Sequence, residues 1–217
     1  METVEDNVNS ESSSFRARLI LPEKFKQAII IANGAGAPMD APFIRTFCRG
    51  LAERGYAAAS FNFPYQEAGR KAPDRKEKLE TAYMSMLKFT AAKTGLAASA
   101  ITIGGKSMGG RIATQIAVKS GVQSLVLLGY PLHPPGKPES LRDEHLYEIS
   151  ARMLFISGDR DPFCEFTKFK PVLKKLKKAE LFVVEGGGHS FEVPKKSGKT
   201  QAQIYEVCLN RIAEFLG

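Results

Sequence analysis

The sequence predicts an α/β domain built on a mostly parallel open sheet with helices on both faces. Two observations carry this. Apolar runs without alternation, such as QAIIIANG (27–34) and SLVLLGYP (124–131), suit strands buried on both faces. Segments with apolar residues at helical spacing separate these runs, and strands that alternate with helices pair in parallel.

The elements follow in order. Residues 1–14, METVEDNVNSESSS, are polar and acidic and read as a disordered tail. ARLILP (17–22) is an early strand, and the run at 27–34 is the next, ending in glycine. A helix is expected from Asp40 as N-cap, with Pro42 in its first turn. It carries Phe43, Phe47 and Leu51 and stops at Gly55. YAAASFNFP (56–64) is a strand, and 65–75 has no periodicity and reads as a loop. Residues 76–95 are a helix with Leu79, Tyr83, Met86 and Thr90 on one side. AITIGG (100–105) is a strand, 108–121 a helix with Ile112 and Ile116 inward, and 124–131 a strand. The Pro-rich stretch 133–150 is a surface excursion with room for one short helix. RMLFISG (152–158) and ELFVVEGG (180–187) are the last strands. The last helix, about 200–216, places Ile204, Val207, Cys208, Ile212 and Phe215 along one stripe. Neither a repeat nor an interdomain linker is visible, so 15–217 forms one domain, a size that buries a continuous core.

Composition excludes several classes. At 43% hydrophobic and 25% charged residues, the chain has the profile of a soluble globular protein. No run approaches the roughly 18 apolar residues of a membrane span. The N-terminus has neither a basic start nor an apolar run, which argues against a secretory signal. Cys48, Cys164 and Cys208 are odd in number and far apart. That argues against a disulfide framework or zinc site and makes a reducing cytoplasm the default. The net charge of +8 sits largely in 168–178 and 195–199. Phe169, Val172, Leu173 and Leu176 interleave with the first lysines at helical spacing, so a solvated helix face is favoured over a nucleic-acid patch.

The chemistry concentrates at Gly105-Lys106-Ser107-Met108-Gly109, a G-x-S-x-G set between a strand and a helix. A serine on that turn is held in a strained conformation, and its neighbours must be small. A phosphate-loop reading of the same residues fails, because its first glycine falls on Ala100 and the residues between form a strand. Serine needs a base, and His189 lies in GGGHSF between the last strand and the last helix. His133 and His145 lie in the polar excursion, with surface or substrate-side roles. The base needs an acceptor: Asp161 in GDRDP is preferred over Asp159, which is left to cap the turn or pair with Arg160. The chain order 107, 161, 189 suits a serine–acid–histidine triad. Asn33-Gly34-Ala35-Gly36 follows a strand, so the Ala35 and Met108 amides are the candidate oxyanion donors. Segments 65–75 and 133–145 follow strand ends and flank the serine. Lys106, Tyr65, Arg70 and His133 are therefore the substrate-side candidates, and with Lys71 and Arg75 they make the region basic. A negatively charged substrate and plain loop solvation are both open readings of that charge.

GKSMGGR, NGAGAPMDAPF, NFPYQEAGRKAPDR and YPLHPPGKPESLRDEHL together resemble the small α/β-hydrolases related to the NSL-complex regulatory subunit and its testis-expressed relative. More remotely the chain is similar to dienelactone hydrolase-like proteins. The resemblance runs from about residue 15 to the end. It implies the α/β-hydrolase fold and carries Ser107, Asp161 and His189 across as the triad; the short excursions in the sequence leave no room for a large cap domain. The expectation is a cytoplasmic serine hydrolase of small esters or thioesters needing no metal or organic cofactor. A hydrolase-fold scaffold that binds a partner and turns over little is the alternative, and a haloperoxidase-like or lyase activity is compatible with the same triad.

Overall fold

Eight strands form one sheet in the order β1-β2-β4-β3-β5-β6-β7-β8 in a computed structural model that describes residues 1–11 and 13–217. The strands are β1 (Glu2–Ser10), β2 (Ser13–Leu21), β3 (Ala28–Ala32), β4 (Ala57–Phe61), β5 (Ile101–Lys106), β6 (Ser124–Leu128), β7 (Arg152–Gly158) and β8 (Ala179–Val184). From β4 to β8 the neighbours pair in parallel; β1 on β2 and β2 on β4 are antiparallel. The helices are α1 (Pro42–Glu53), α2 (Pro64–Glu67), α3 (Lys76–Thr94), α4 (Met108–Ser120), α5 (Phe166–Lys175) and α6 (Gln201–Leu216).

The sheet divides the core in two. β3, β5, β6 and β7 are buried on both faces, as their unbroken apolar runs require. On one face, Leu79, Tyr83, Met86, Ile112, Ile116 and Phe169 from α3, α4 and α5 pack against Ile30, Ile103 and Phe155. On the other, Phe47, Leu51, Cys208 and Ile212 from α1 and α6 meet Ile29, Ile31, Val126 and Leu154. Gly95 and Gly121 end α3 and α4 in the left-handed conformation, which a side chain would strain. All three cysteines are buried and unbonded to one another.

Several expectations are corrected. Residues 2–10 are not a free tail: they pair with β2 along nine positions, from Glu2↔Leu21 to Ser10↔Ser13. Val4 and Val8 lie four residues apart on the face toward α3, where Val8 is buried and Lys93 meets Asp6 at 2.9 Å. Ladder hydrogen bonds and one apolar edge therefore order a segment that its composition marks as polar. Asp40 does not cap α1, whose N-cap is Ala41 without a side-chain bond. The Asp40 carboxylate instead meets Arg18 at 2.7 Å. Val207 is turned outward on α6, 51% exposed, and Leu209 takes the inward place. The loop after β4 contains the single turn α2, and 133–150 contains a one-turn 3-10 segment at Glu144–Glu148.

Candidate active site

The site lies beyond the C-terminal ends of the central parallel strands, where such sheets leave a crevice. β5 runs straight into α4 through Ser107, whose backbone sits at φ 51 and ψ −116, a region that side-chain-bearing residues rarely occupy. Close packing makes that turn possible. A Cβ on Gly109 would meet the Ala32 carbonyl oxygen at 2.5 Å, and one on Gly105 the same oxygen at 2.4 Å. Glycine lets the start of α4 lie directly on the end of β3. The Ser107 amide donates to the Leu128 carbonyl at 2.9 Å, which ties the turn to the end of β6.

Asp161 comes from the loop after β7 and His189 from the loop after β8. Nδ1 of His189 and Oδ2 of Asp161 are 2.8 Å apart, and the Asp161 carboxylate is fully buried. Its other oxygen accepts the Phe163 amide at 2.9 Å. Asp159, the alternative, is exposed. The Phe163 ring lies 4.4 Å from the imidazole, centroid to centroid. The glycines before His189 permit close contact between loops: a Cβ on Gly158 would meet the Gly187 carbonyl oxygen at 2.1 Å. After it, Phe191 holds a positive φ of 66 and is buried against Phe43 and Phe47, which anchors the loop. Gly129, next to the Ser107 acceptor Leu128, is where the parts meet. A Cβ there would lie 3.4 Å from His189 Nδ1 and 3.2 Å from Lys106 Nζ. No hydrogen bond joins Ser107 Oγ to His189 among the described residues; such bonds often tighten only with substrate present.

The loop after β3 lies beside the serine, with a Cβ on Gly34 only 3.6 Å from Ser107 Cβ. The Ala35 and Met108 amides donate to no protein acceptor among the described residues. A polar brace shapes this loop. Asn33 Nδ2 lies 2.9 Å from the Gly34 carbonyl oxygen, 2.6 Å from that of Ala37 and 2.8 Å from Gln66 Oε1. Gln66 Nε2 donates to Ala37 at 2.6 Å, and the Tyr65 hydroxyl to the Ala35 carbonyl at 2.7 Å. Asn33 and Gln66 carry no chemistry of their own, and only their places just after two strand ends mark them in the sequence.

The substrate-side candidates are redistributed. Tyr65 is fully buried as part of that brace. His133 is buried too: Nδ1 donates to the Pro134 carbonyl at 3.0 Å and Nε2 accepts the Glu165 amide at 3.1 Å. It joins two loops and faces no open space. Arg70 is committed to Asp74 at 2.5 Å. Lys106 is 8% exposed, and its Nζ makes no hydrogen bond among the described residues, lying 5.7 Å from the centre of the Phe43 ring. Burial pushes its ammonium down to about 8, with Asp161 and Glu192 pulling the other way.

Comparisons with known proteins agree with this architecture. Residues 25–217 match the alpha/beta hydrolase domain family. A dienelactone hydrolase of Anabaena variabilis superposes with a TM-score of 0.77 at 18% identity, covering 98% of this chain and 95% of that one. A serine hydrolase without a lid from Xanthomonas campestris gives 0.73 at 16% identity, covering 100% and 92%. At such identities these likenesses show the fold. A proline iminopeptidase of Pestalotiopsis fici is 42% identical over 50 residues, a match spanning 23% of this chain and 18% of that protein. No described helix is long and apolar enough to cross a membrane. The match over residues 25–217, together with the eight-stranded sheet and its strand–serine–helix turn, places this chain in the alpha/beta hydrolase domain family.

Proposed function

We propose that the protein is a serine hydrolase of carboxylic esters or thioesters. The observation that carries this reading is the His189–Asp161 hydrogen bond, 2.8 Å, beside a serine on a strained strand-to-helix turn. Ser107 Oγ adds to the substrate carbonyl and gives its proton to His189 Nε2. Asp161 holds the imidazole by its Nδ1–H and stabilises the imidazolium. The free Ala35 and Met108 amides take the charge on the tetrahedral oxygen, worth about 3 kcal/mol each. The carbon–oxygen or carbon–sulfur bond then breaks, and His189 protonates the leaving alcohol or thiol. Water repeats the sequence on the acyl-enzyme and releases the acid. This chemistry uses side chains and backbone alone.

A partner-binding protein with little turnover is the second reading. It accords with the resemblance to the NSL-complex relatives. A fluorophosphonate probe separates the two. Labelling that disappears in Ser107→Ala is expected. Asp161→Asn should slow ester turnover by roughly 10⁴-fold, since the imidazole loses its tautomer, and Asp159→Asn should not. A well-folded protein that resists the probe would leave the scaffold reading standing.

A further inference from the structure

The sheet ends in two open edges, and charge protects only one of them. β1 carries Glu2, Glu5 and Asp6, so a second copy laid along it would set carboxylate against carboxylate. β8 reads Ala-Glu-Leu-Phe-Val-Val and has neither a proline nor a bulge. Its one acid, Glu180, is held by Arg211 of α6. Within the strand only Val184 is buried, so the edge is not covered by other described residues.

The backbone shows which groups that edge offers. Among the described residues β8 pairs with β7 alone. The Lys178 carbonyl accepts the Met153 amide at 2.8 Å, and the Val184 carbonyl accepts the Asp159 amide at 3.4 Å. Even-numbered residues therefore turn toward β7. A parallel strand bonds one neighbour through alternate residues, so Ala179, Leu181 and Val183 turn their amides and carbonyls outward. No loop of the described residues bonds to them. The side chains alternate as well: Ala179 and Leu181 join the core on the α3–α5 side, Phe182 and Val184 that on the α1–α6 side. On the second side Phe182, Val184, Ile204 and Val207 line a groove of about 510 Å³ beside the edge.

We propose that β8 is a self-association edge, through which two copies of this chain join antiparallel about a twofold axis perpendicular to the sheet, with Leu181 on the axis. Such an axis keeps each face of the sheet on its own side, so outward residues must meet outward residues. With Leu181 on the axis, Ala179 meets Val183 twice, apolar against apolar. One step beyond the strand ends, Lys177 meets Glu185 twice. Both are exposed, and neither makes an ion pair among the described residues. An axis at Glu180 would set Lys177 against Val183, and one at Phe182 would set Glu185 against Ala179. Charge complementarity therefore selects the Leu181 register and a second copy as the partner. The same rotation stands the two α6 helices on one face, each with Val207 exposed.

Sedimentation equilibrium over a range of protein concentrations tests this. The full chain should approach twice its 23.8 kDa as the concentration rises. Lys177→Glu and Glu185→Lys should each weaken the dimer about tenfold, since each places two like-charged pairs across the join. Combining the two substitutions should restore it. Both positions are exposed, so the monomer keeps its fold. Backbone hydrogen exchange locates the contact: the Ala179, Leu181 and Val183 amides should exchange more slowly as the dimer forms, and those of β1 should not change. A chain that stays monomeric at its highest soluble concentration would overturn the proposal and leave the edge to a strand of another protein. A dimer indifferent to both charge reversals, or one whose three β8 amides stay unprotected, would overturn it equally.

Discussion

Lys106 carries a buried amine with no hydrogen-bond partner among the described residues, and its effect on stability has a definite pH signature. In the folded protein its ammonium titrates near 8, against 10.5 when exposed. Above 10.5 the amine is neutral in both states and nothing is lost. As the pH falls from 10.5 toward 8 the unfolded chain takes up the proton first, and stability declines. Below 8 the full penalty applies, ~3 kcal/mol at 1.36 kcal/mol per pKa unit. Lys106→Met should therefore raise the melting temperature at pH 7, with a gain that shrinks above pH 8 and vanishes near 10.5. Denaturant titrations across pH 6–10.5 would check this, and a gain independent of pH would refute it. The residue was legible in the sequence as the variable position of the serine motif, yet not its environment. Its lining comes from Phe43, Gly129 and the His189 loop, which are distant in the chain.

At the scale of elements, the start of α4 depends on backbone touching backbone. Gly109→Ala would drive a methyl group into the Ala32 and Asn33 carbonyls, at 2.5 and 2.7 Å, the last residue of β3 and the first of the loop after it. A loss of about 1–3 kcal/mol or more is expected. Gly36→Ala, where nothing lies within 4 Å, should change stability little. Chemical denaturation of the two variants would read the contrast; similar losses in both would mean that the close approach is not what holds α4. The strand–serine–helix order was readable because G-x-S-x-G between an apolar run and a helical run demands it. The brace of Asn33 and Gln66 was not, since side-chain amides leave no periodic trace.

At the scale of the whole molecule, β1 is the most separable part. It lies four strands from β5 in the sheet, roughly 19 Å at the usual strand spacing. It contributes one buried side chain, Val8, together with the Glu5–Arg18 and Asp6–Lys93 ion pairs. Removing residues 1–11 should cost about 2 kcal/mol, largely the burial of Val8, and lower the melting temperature by a few degrees. Fluorophosphonate labelling of Ser107 should survive. A truncated chain that melts as before would show that β1 adds nothing to the fold, and a folded one that no longer labels would show that the edge reaches the site.

What the sequence by itself determined is the parallel α/β architecture, the strand-to-helix serine turn and the order of serine, acid and histidine. Each is written in local periodicity and in glycines whose conformations only they adopt. Tertiary structure alone decided which aspartate reaches His189, that His133 and Tyr65 are buried braces, and that residues 2–10 form an edge strand. Those outcomes depend on contacts between segments far apart in the chain, and neither hydrophobic period nor turn chemistry records which distant loops will meet.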